Sequence, residues 1–210
     1  MKTAPLLRSY ELLVDKADEA FQKTKSLHGS RIACELHCSD CCHAVFGLFL
    51  IEAAALKHHF EELDLEKKKE AILRCSETER GLKRLEKKLE RYREDPETQA
   101  SILARERIRC PLLDEKHECV LYAHRPITCR VYGIPTKIQG KARACGKTTF
   151  EKGVSYSVFD LDGVYANLHA LSREFLSEEG GKDLDKAAYL ISVPRAICSS
   201  LDELIRETFG

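Results

Sequence analysis

Ten cysteines stand among 210 residues. Four of them crowd into the stretch CELHCSDCCH, which runs from Cys34 to His43. Thiolates are soft anionic donors that seek metals. Cys38 and Cys41, three positions apart, can chelate one ion from a single tight turn. Cys42 follows at once and leaves the backbone in another direction, so it closes the same site after local distortion, serves a second metal, or stays free. Cys34 lies one helical turn before Cys38, within reach if that turn is helical. A second set, Cys110, Cys119, Cys129 and Cys145, lies beyond a long charged stretch. Distant halves that meet in space build a closed sulfur site, and the metal bond offsets the loop-closure entropy. Four thiolates satisfy one tetrahedral zinc or one 4Fe–4S cluster, and eight allow two sites. The best single site takes Cys38 with Cys41 or Cys42 and completes itself from Cys110, Cys119 and Cys129.

Clustered thiolates carry excess negative charge. Arg125 and Arg130, with Arg143 further on, flank the second set and can offset that charge at the cofactor by hydrogen bond or field. His37, His43 and His117 sit beside cysteines and read as solvent-facing or outer partners rather than thiolate replacements. Cys75 and Cys198 stand alone on expected helices and read as core residues. His58-His59 with Glu61-Glu62 offers a His/Glu pair at helical spacing, but it is not the HExxH pattern and is not read as a second site. The segment GKARACGKT at 140–148 resembles a phosphate loop. It carries five residues where four are needed and follows no buried strand, which excludes nucleotide hydrolysis.

Composition narrows the class. Lys+Arg and Asp+Glu both number 34, so nothing points to nucleic acid or an anionic membrane surface. No apolar run spans a bilayer. Arg8, Glu11 and Asp15 interrupt the first apolar windows, unlike a secretory signal. The expectation is a cytoplasmic protein, where thiols stay reduced and dense cysteines imply metal or redox chemistry rather than a disulfide framework. Apolar content of 43% and charged content of 32% describe a globular chain, expected to be one domain over 1–210.

The positioning elements read as mainly α: a helical domain around an irregular cysteine-rich metal-binding core with a small hairpin, plus a long charged helical hairpin insert at about 61–108. Leu6, Tyr10, Leu13, Ala17 and Phe21 mark an amphipathic helix over 4–27. Residues 47–60 read as a buried helix. A charged helix follows over 64–94, with Ile72, Cys75, Leu82, Leu85, Leu89 and Tyr92 as a narrow apolar seam, and a shorter one over 97–107 folds back. This insert reads as stacking on the core with one face in water, although it could offer a surface to a protein partner. One helical turn is expected near Pro126, a strand over 154–159, and helices over 161–176, 183–190 and 201–209. Ser200 and Glu203 form a capping box.

Two blocks carry a family resemblance. One is Cys34…Cys38-Ser-Asp-Cys41-Cys42 with the following helix and Glu52. The other is Cys110-Pro-Leu-Leu-Asp114…Cys119-Val-Leu-Tyr122…Arg125-Pro-Ile-Thr-Cys129-Arg130, with Cys145 downstream. Together they resemble the YkgJ-type cysteine-cluster family, the CxxCxxCC zinc- or iron-chelating domain. Three residues rather than the family's two separate Cys34 from Cys38. The resemblance implies chelation of zinc or an iron–sulfur cluster through the cysteines. Larger relatives, such as flagellin lysine methylases, join a similar cluster to methyl transfer, but no glycine-rich methyl-donor loop follows a strand here. Three functions are expected in turn: metal binding with a redox role, a metal-cluster-dependent enzyme of methyl-transfer or redox type, or a structural zinc module presenting its charged helix to a partner.

Overall fold

The computed structural model describes residues 3–35, 37–151 and 153–207. In chain order its helices are α1 (Ala4–His28), α2 (Leu50–Glu61), α3 (Leu65–Glu90), α4 (Pro96–Arg105), α5 (Ile127–Val131), α6 (Leu161–Glu178), α7 (Val193–Cys198) and α8 (Leu201–Glu207). Short 3-10 turns occupy Gly29–Arg31, Tyr122–His124 and Leu184–Ala188. Strands β1 (Thr136–Ile138), β2 (Lys141–Arg143) and β3 (Phe159–Asp160) form a sheet in the order β2-β1-β3, antiparallel then parallel. The architecture is mainly helical, as the periodicities imply. Among the described residues no helix is long and apolar enough to cross a membrane.

The core is organised on α2. Leu50, Ile51, Ala53, Leu56 and Phe60 are all buried, and the helix lies against α1, α6, α7 and α8. Each of the four large side chains contributes roughly 1.5–3 kcal/mol of burial. The first amides of a helix have no helical acceptor, and Phe49 at the N-cap supplies none from its side chain. Ser172 of α6 accepts from the Ile51 amide at 3.1 Å, and Glu52 Oε2 accepts from the Phe49 amide at 3.2 Å. Glu52 Oε1 reaches further and accepts from the amide of Ile127, the first residue of α5, at 3.1 Å. One buried carboxyl therefore joins the starts of two helices. Burial pushes that carboxyl up to about 7.

The insert differs in detail from the expected seam. The residues that α3 buries are Ala71, Cys75, Thr78, Gly81 and Leu85, whereas Ile72 and Tyr92 are 48% and 43% exposed. Small residues face inward because α3 lies flat against the extended chain that leads into Cys110. A Cβ on Gly81 would come within 2.9 Å of Ile108 Cγ2. Thr78 Oγ1 donates to the Arg109 carbonyl at 2.8 Å, and Arg74 Nε donates to the Pro111 carbonyl at 2.9 Å. The long helix is thus a buttress for the Cys110 segment.

Other expectations need correction. The helix expected over 183–190 is only the 3-10 turn Leu184–Ala188. The strand expected over 154–159 shrinks to Phe159–Asp160, held by the Phe159 amide on the Pro135 carbonyl at 2.9 Å. Helix α7 was expected only as a helical setting for Cys198, without a range, although Ser192 followed by Pro194 is a start signal and Ser192 Oγ accepts from the Arg195 amide at 3.4 Å. The small hairpin is β1–β2. Its turn puts Gln139 and Gly140 at φ 53° and 71°, and Asp162 at the start of α6 accepts from both amides at 2.7 and 2.9 Å. The Ser200–Glu203 box closes in both directions at 2.6 and 3.2 Å. The end of the helix expected over 201–209 lies outside the described residues.

Candidate metal centre

Tight turns deliver the first cysteine block. The amides of Cys42, His43 and Ala44 donate to the carbonyls of Ser39, Asp40 and Cys41 at 3.0, 3.1 and 3.3 Å. Cys34 and Glu35 lie outside any helix, and the Cys38 amide donates to the Glu35 carbonyl at 3.0 Å. The second block runs alongside: the Ile108 amide donates to His43 O at 3.0 Å and the Cys110 amide to Cys42 O at 2.7 Å. Cys119 returns through an isolated bridge to Leu113, closed by Asp114, whose Oδ1 accepts from the amides of Lys116 and Glu118 at 2.9 and 2.8 Å. Cys129 rides on α5, which Glu52 anchors. The two blocks, far apart in sequence, meet in space.

Their thiols fall into two groups. In the inner group, the Cys129 thiol lies against Cys41, and the single Cys42 proton is shared between Cys41 and Cys119. The accepting sulfurs, Cys41 and Cys119, are held below the ordinary thiol range, first by those neighbouring thiols and then, after the Leu121 amide at Cys119, by the field of Arg125. The donors Cys42 and Cys129 are pushed up in return. Cys110 lies beside them, and burial pushes its thiol up to about 12. In the outer group, Cys34 contacts Cys38 and senses Cys145, and desolvation raises its thiol to about 12. Cys145 Sγ donates to Asp40 Oδ2 at 3.3 Å, and Tyr132 shares that carboxylate. Cys38, expected to join Cys110, Cys119 and Cys129, contacts Cys34 and also shares a cavity wall with Cys41, Cys42 and Cys119. The Cys34 sulfur packs directly on Gly133, which leaves no room there for a Cβ.

Backbone amides two residues on point at three of these sulfurs: Leu112 at Cys110, Leu121 at Cys119, and Lys147 at Cys145 at 3.5 Å. Such N–H groups stabilise a sulfur that carries charge and tune a bound metal. Arg125 lies over the Tyr122 ring at 3.7 Å, and its Nε donates to the Tyr122 carbonyl at 3.0 Å, which fixes its cation near the inner thiols. Arg130 is committed elsewhere. Its guanidinium bonds Asp18 of α1 at 2.6 Å and the carbonyls of Arg125 and Ala123 at 2.7 and 2.5 Å. It positions the turn that carries Arg125. Arg143 is exposed on β2.

The donor set suits a thiophilic metal: eight sulfurs in two adjoining groups, charge offset by Arg125, and amides aimed at the sulfurs. The thiol contacts form a chain, Cys119–Cys42–Cys41–Cys129, rather than a closed knot. Among the described residues, three ligand atoms come within 4.8 Å of one another only at His58, His59 and Glu62.

The centre is open. A cavity of about 310 Å³ is lined by Cys38, Cys41, Cys42, Cys119, Tyr122 and Arg125, with His37 and His117 also on its wall. Both histidines have left-handed backbones, φ 67° and 61°, a strained state that clusters at ligand sites. His37 Nδ1 pairs with the Lys116 carbonyl at 3.2 Å, and His43 Nδ1 with the Ser39 carbonyl at 2.9 Å. Asp40, Tyr132 and Gly133 were missed by sequence reasoning. Asp40 lies inside the cysteine block and was the one legible signal. Cys75 is buried as expected, but Cys198 is exposed and its thiol lies 2.9 Å from that of Cys75.

A family model described as "CxxCxxCC: Putative zinc- or iron-chelating domain" matches residues 33–146, more than half of the chain. No curated protein and no solved structure matches it. The matched span begins just before Cys34 and ends just after Cys145, enclosing both thiol groups. This chain belongs to the CxxCxxCC family.

Proposed function

We propose that the chain is a metal-binding protein whose inner thiols, Cys41, Cys42, Cys119 and Cys129 with Cys110 beside them, hold an iron–sulfur cluster with a redox role. The observation that carries this reading is that these five thiols, drawn from both blocks, line one cavity together with Arg125. The cluster takes precedence over zinc because no three described thiols lie within 4.8 Å of one another. A single zinc, bound by sulfur at about 2.3 Å, draws four sulfurs to within about 3.8 Å of one another. Cluster irons each take their own cysteine, which keeps the ligands apart. Zinc is the second reading, favoured by the direct Cys41–Cys129 and Cys42–Cys119 contacts.

A bound cluster supplies one-electron transfer. The chain's own residues do the rest. Arg125 offsets thiolate charge, the Leu112 and Leu121 amides bond sulfur, and the cavity beside the thiols admits a small molecule. That cavity also keeps open the reading of a metal-dependent enzyme of redox or methyl-transfer type. The outer thiols with Asp40 offer a second, smaller donor set. The exposed face of α3 is the surface a protein partner would meet.

The test is paired substitution. Cys41→Ala with Cys129→Ala should abolish the inner metal, and Cys34→Ala with Cys145→Ala should leave it bound. Unchanged metal content in the first variant overturns the reading.

A further inference from the structure

We infer that the C-terminal end of α2 is a separate nitrogen/oxygen metal site, formed by His58, His59 and Glu62, for a borderline divalent ion of the zinc, cobalt or nickel class. His59 Nδ1 lies 2.9 Å from Glu62 Oε2, and His58 Nε2 lies 3.7 Å from Glu62 Oε1. Two donors each about 2.1 Å from one ion lie at most about 4.2 Å apart. Both separations satisfy that limit, and all three ligand atoms lie within 4.8 Å of one another.

The spacing explains the convergence. Glu62 follows His58 by one turn and His59 by three residues, so one carboxylate faces both rings. The site also caps the helix end, where the carbonyl dipoles favour a cation. A distant segment holds the geometry: His124, from the turn Tyr122–His124, stacks on His59 with ring centroids 3.6 Å apart and planes 19° apart. Stacked rings send their in-plane lone pairs past one another, so His124 orients His59 and does not share its ion. Burial and the neighbouring His59 lower the proton affinity of His124.

Two imidazoles and a carboxylate suit zinc, cobalt or nickel, and three protein ligands leave open positions for water or a small anion. In the metal-free protein Glu62 accepts a proton bond from His59 Nδ1. An ion bound at Nδ1 leaves the ring proton on Nε2 instead.

The experiment adds cobalt(II) to the full chain with its cysteine centres already loaded. One further equivalent should bind, with weak d–d absorbance and no sulfur-to-cobalt charge transfer. Glu62→Gln and His58→Ala should each remove that equivalent and leave the cysteine-held metal unchanged. His124→Ala should keep the stoichiometry and weaken affinity about tenfold, the low end for a residue that orients a ligand. No further equivalent, charge-transfer bands showing thiolate ligation, or binding that survives both ligand substitutions overturns the proposal.

Discussion

Glu52 Oε1 accepts the amide proton of Ile127 at 3.1 Å, across 75 residues of chain. The same carboxyl accepts from Phe49 at 3.2 Å. A single buried acid thereby sets where α5, and with it Cys129, sits relative to the first cysteine block. Glu52→Ala leaves two buried amides unpaired at about 1–3 kcal/mol each. We predict a net loss of about 2–4 kcal/mol in chemical denaturation and a drop in metal content.

The raised carboxyl gives a pH signature. An ordinary glutamate ionises near 4.5, and burial moves Glu52 to about 7. Between these values the folded chain holds a proton that the unfolded chain releases, so folding weakens as pH rises and the penalty is complete above 7. The penalty is roughly 3 kcal/mol at most. Glu52→Gln cannot ionise, and it keeps only one of the two acceptor oxygens. Compared at equal metal load, its stability relative to the parent should rise from about pH 5 to about pH 8. A stability difference that does not change with pH contradicts this account of Glu52.

The field of Arg125 favours the thiolate form of Cys41 and Cys119, after the neighbouring thiols and, at Cys119, the Leu121 amide. Arg125→Gln should slow alkylation of these thiols in the metal-free protein near neutral pH. It should also weaken metal binding, most at low pH, because more protons must leave on binding. Equal alkylation rates would show that the cation is too well screened to matter.

Gly133 packs against the Cys34 sulfur with no space for a methyl group. Gly133→Ala should displace Cys34 and lower stability by about 1–3 kcal/mol, the usual cost of overpacking. The effect on metal should fall on the outer thiols. Loss of the inner metal alone would contradict the division into two groups.

How far the residues announced this arrangement depended on the physics behind each feature. Helix periodicity and the Asp95-Pro96 break were strong local signals, so α1, α3, α4 and α6 were legible. The turn carrying Cys129 was foreshadowed by Pro126. The inward face of α3 was not legible, because Ala71, Thr78 and Gly81 are buried for closeness to Ile108 and Arg109 rather than for hydrophobicity. The partition of cysteines was not legible either. Spacing says which thiols can chelate from one turn, but not that Cys34 packs on Gly133, nearly a hundred residues on, with Cys38 against it. The cation whose field reaches Cys41 and Cys119 is Arg125, while Arg130 is engaged by Asp18, a partner 112 residues away.

The Cys75 and Cys198 thiols lie 2.9 Å apart between α3 and α7. A diazene oxidant such as diamide should take two electrons and two protons from the pair and leave one disulfide, seen by non-reducing peptide mapping. Cys198→Ser should abolish that cross-link without altering metal content. Absence of the cross-link in the parent would mean that the buried Cys75 cannot rotate to meet its partner.

The most direct measurement is metal and acid-labile sulfide analysis, with a visible spectrum, on full-length protein purified without oxygen. The account predicts a brown protein carrying iron and sulfide, with broad sulfur-to-iron absorbance that disappears in the Cys41→Ala, Cys129→Ala variant. A colourless protein with stoichiometric zinc would move the centre to the second reading. A protein that holds neither metal, even after reconstitution, would contradict the central claim that these thiols are a metal centre.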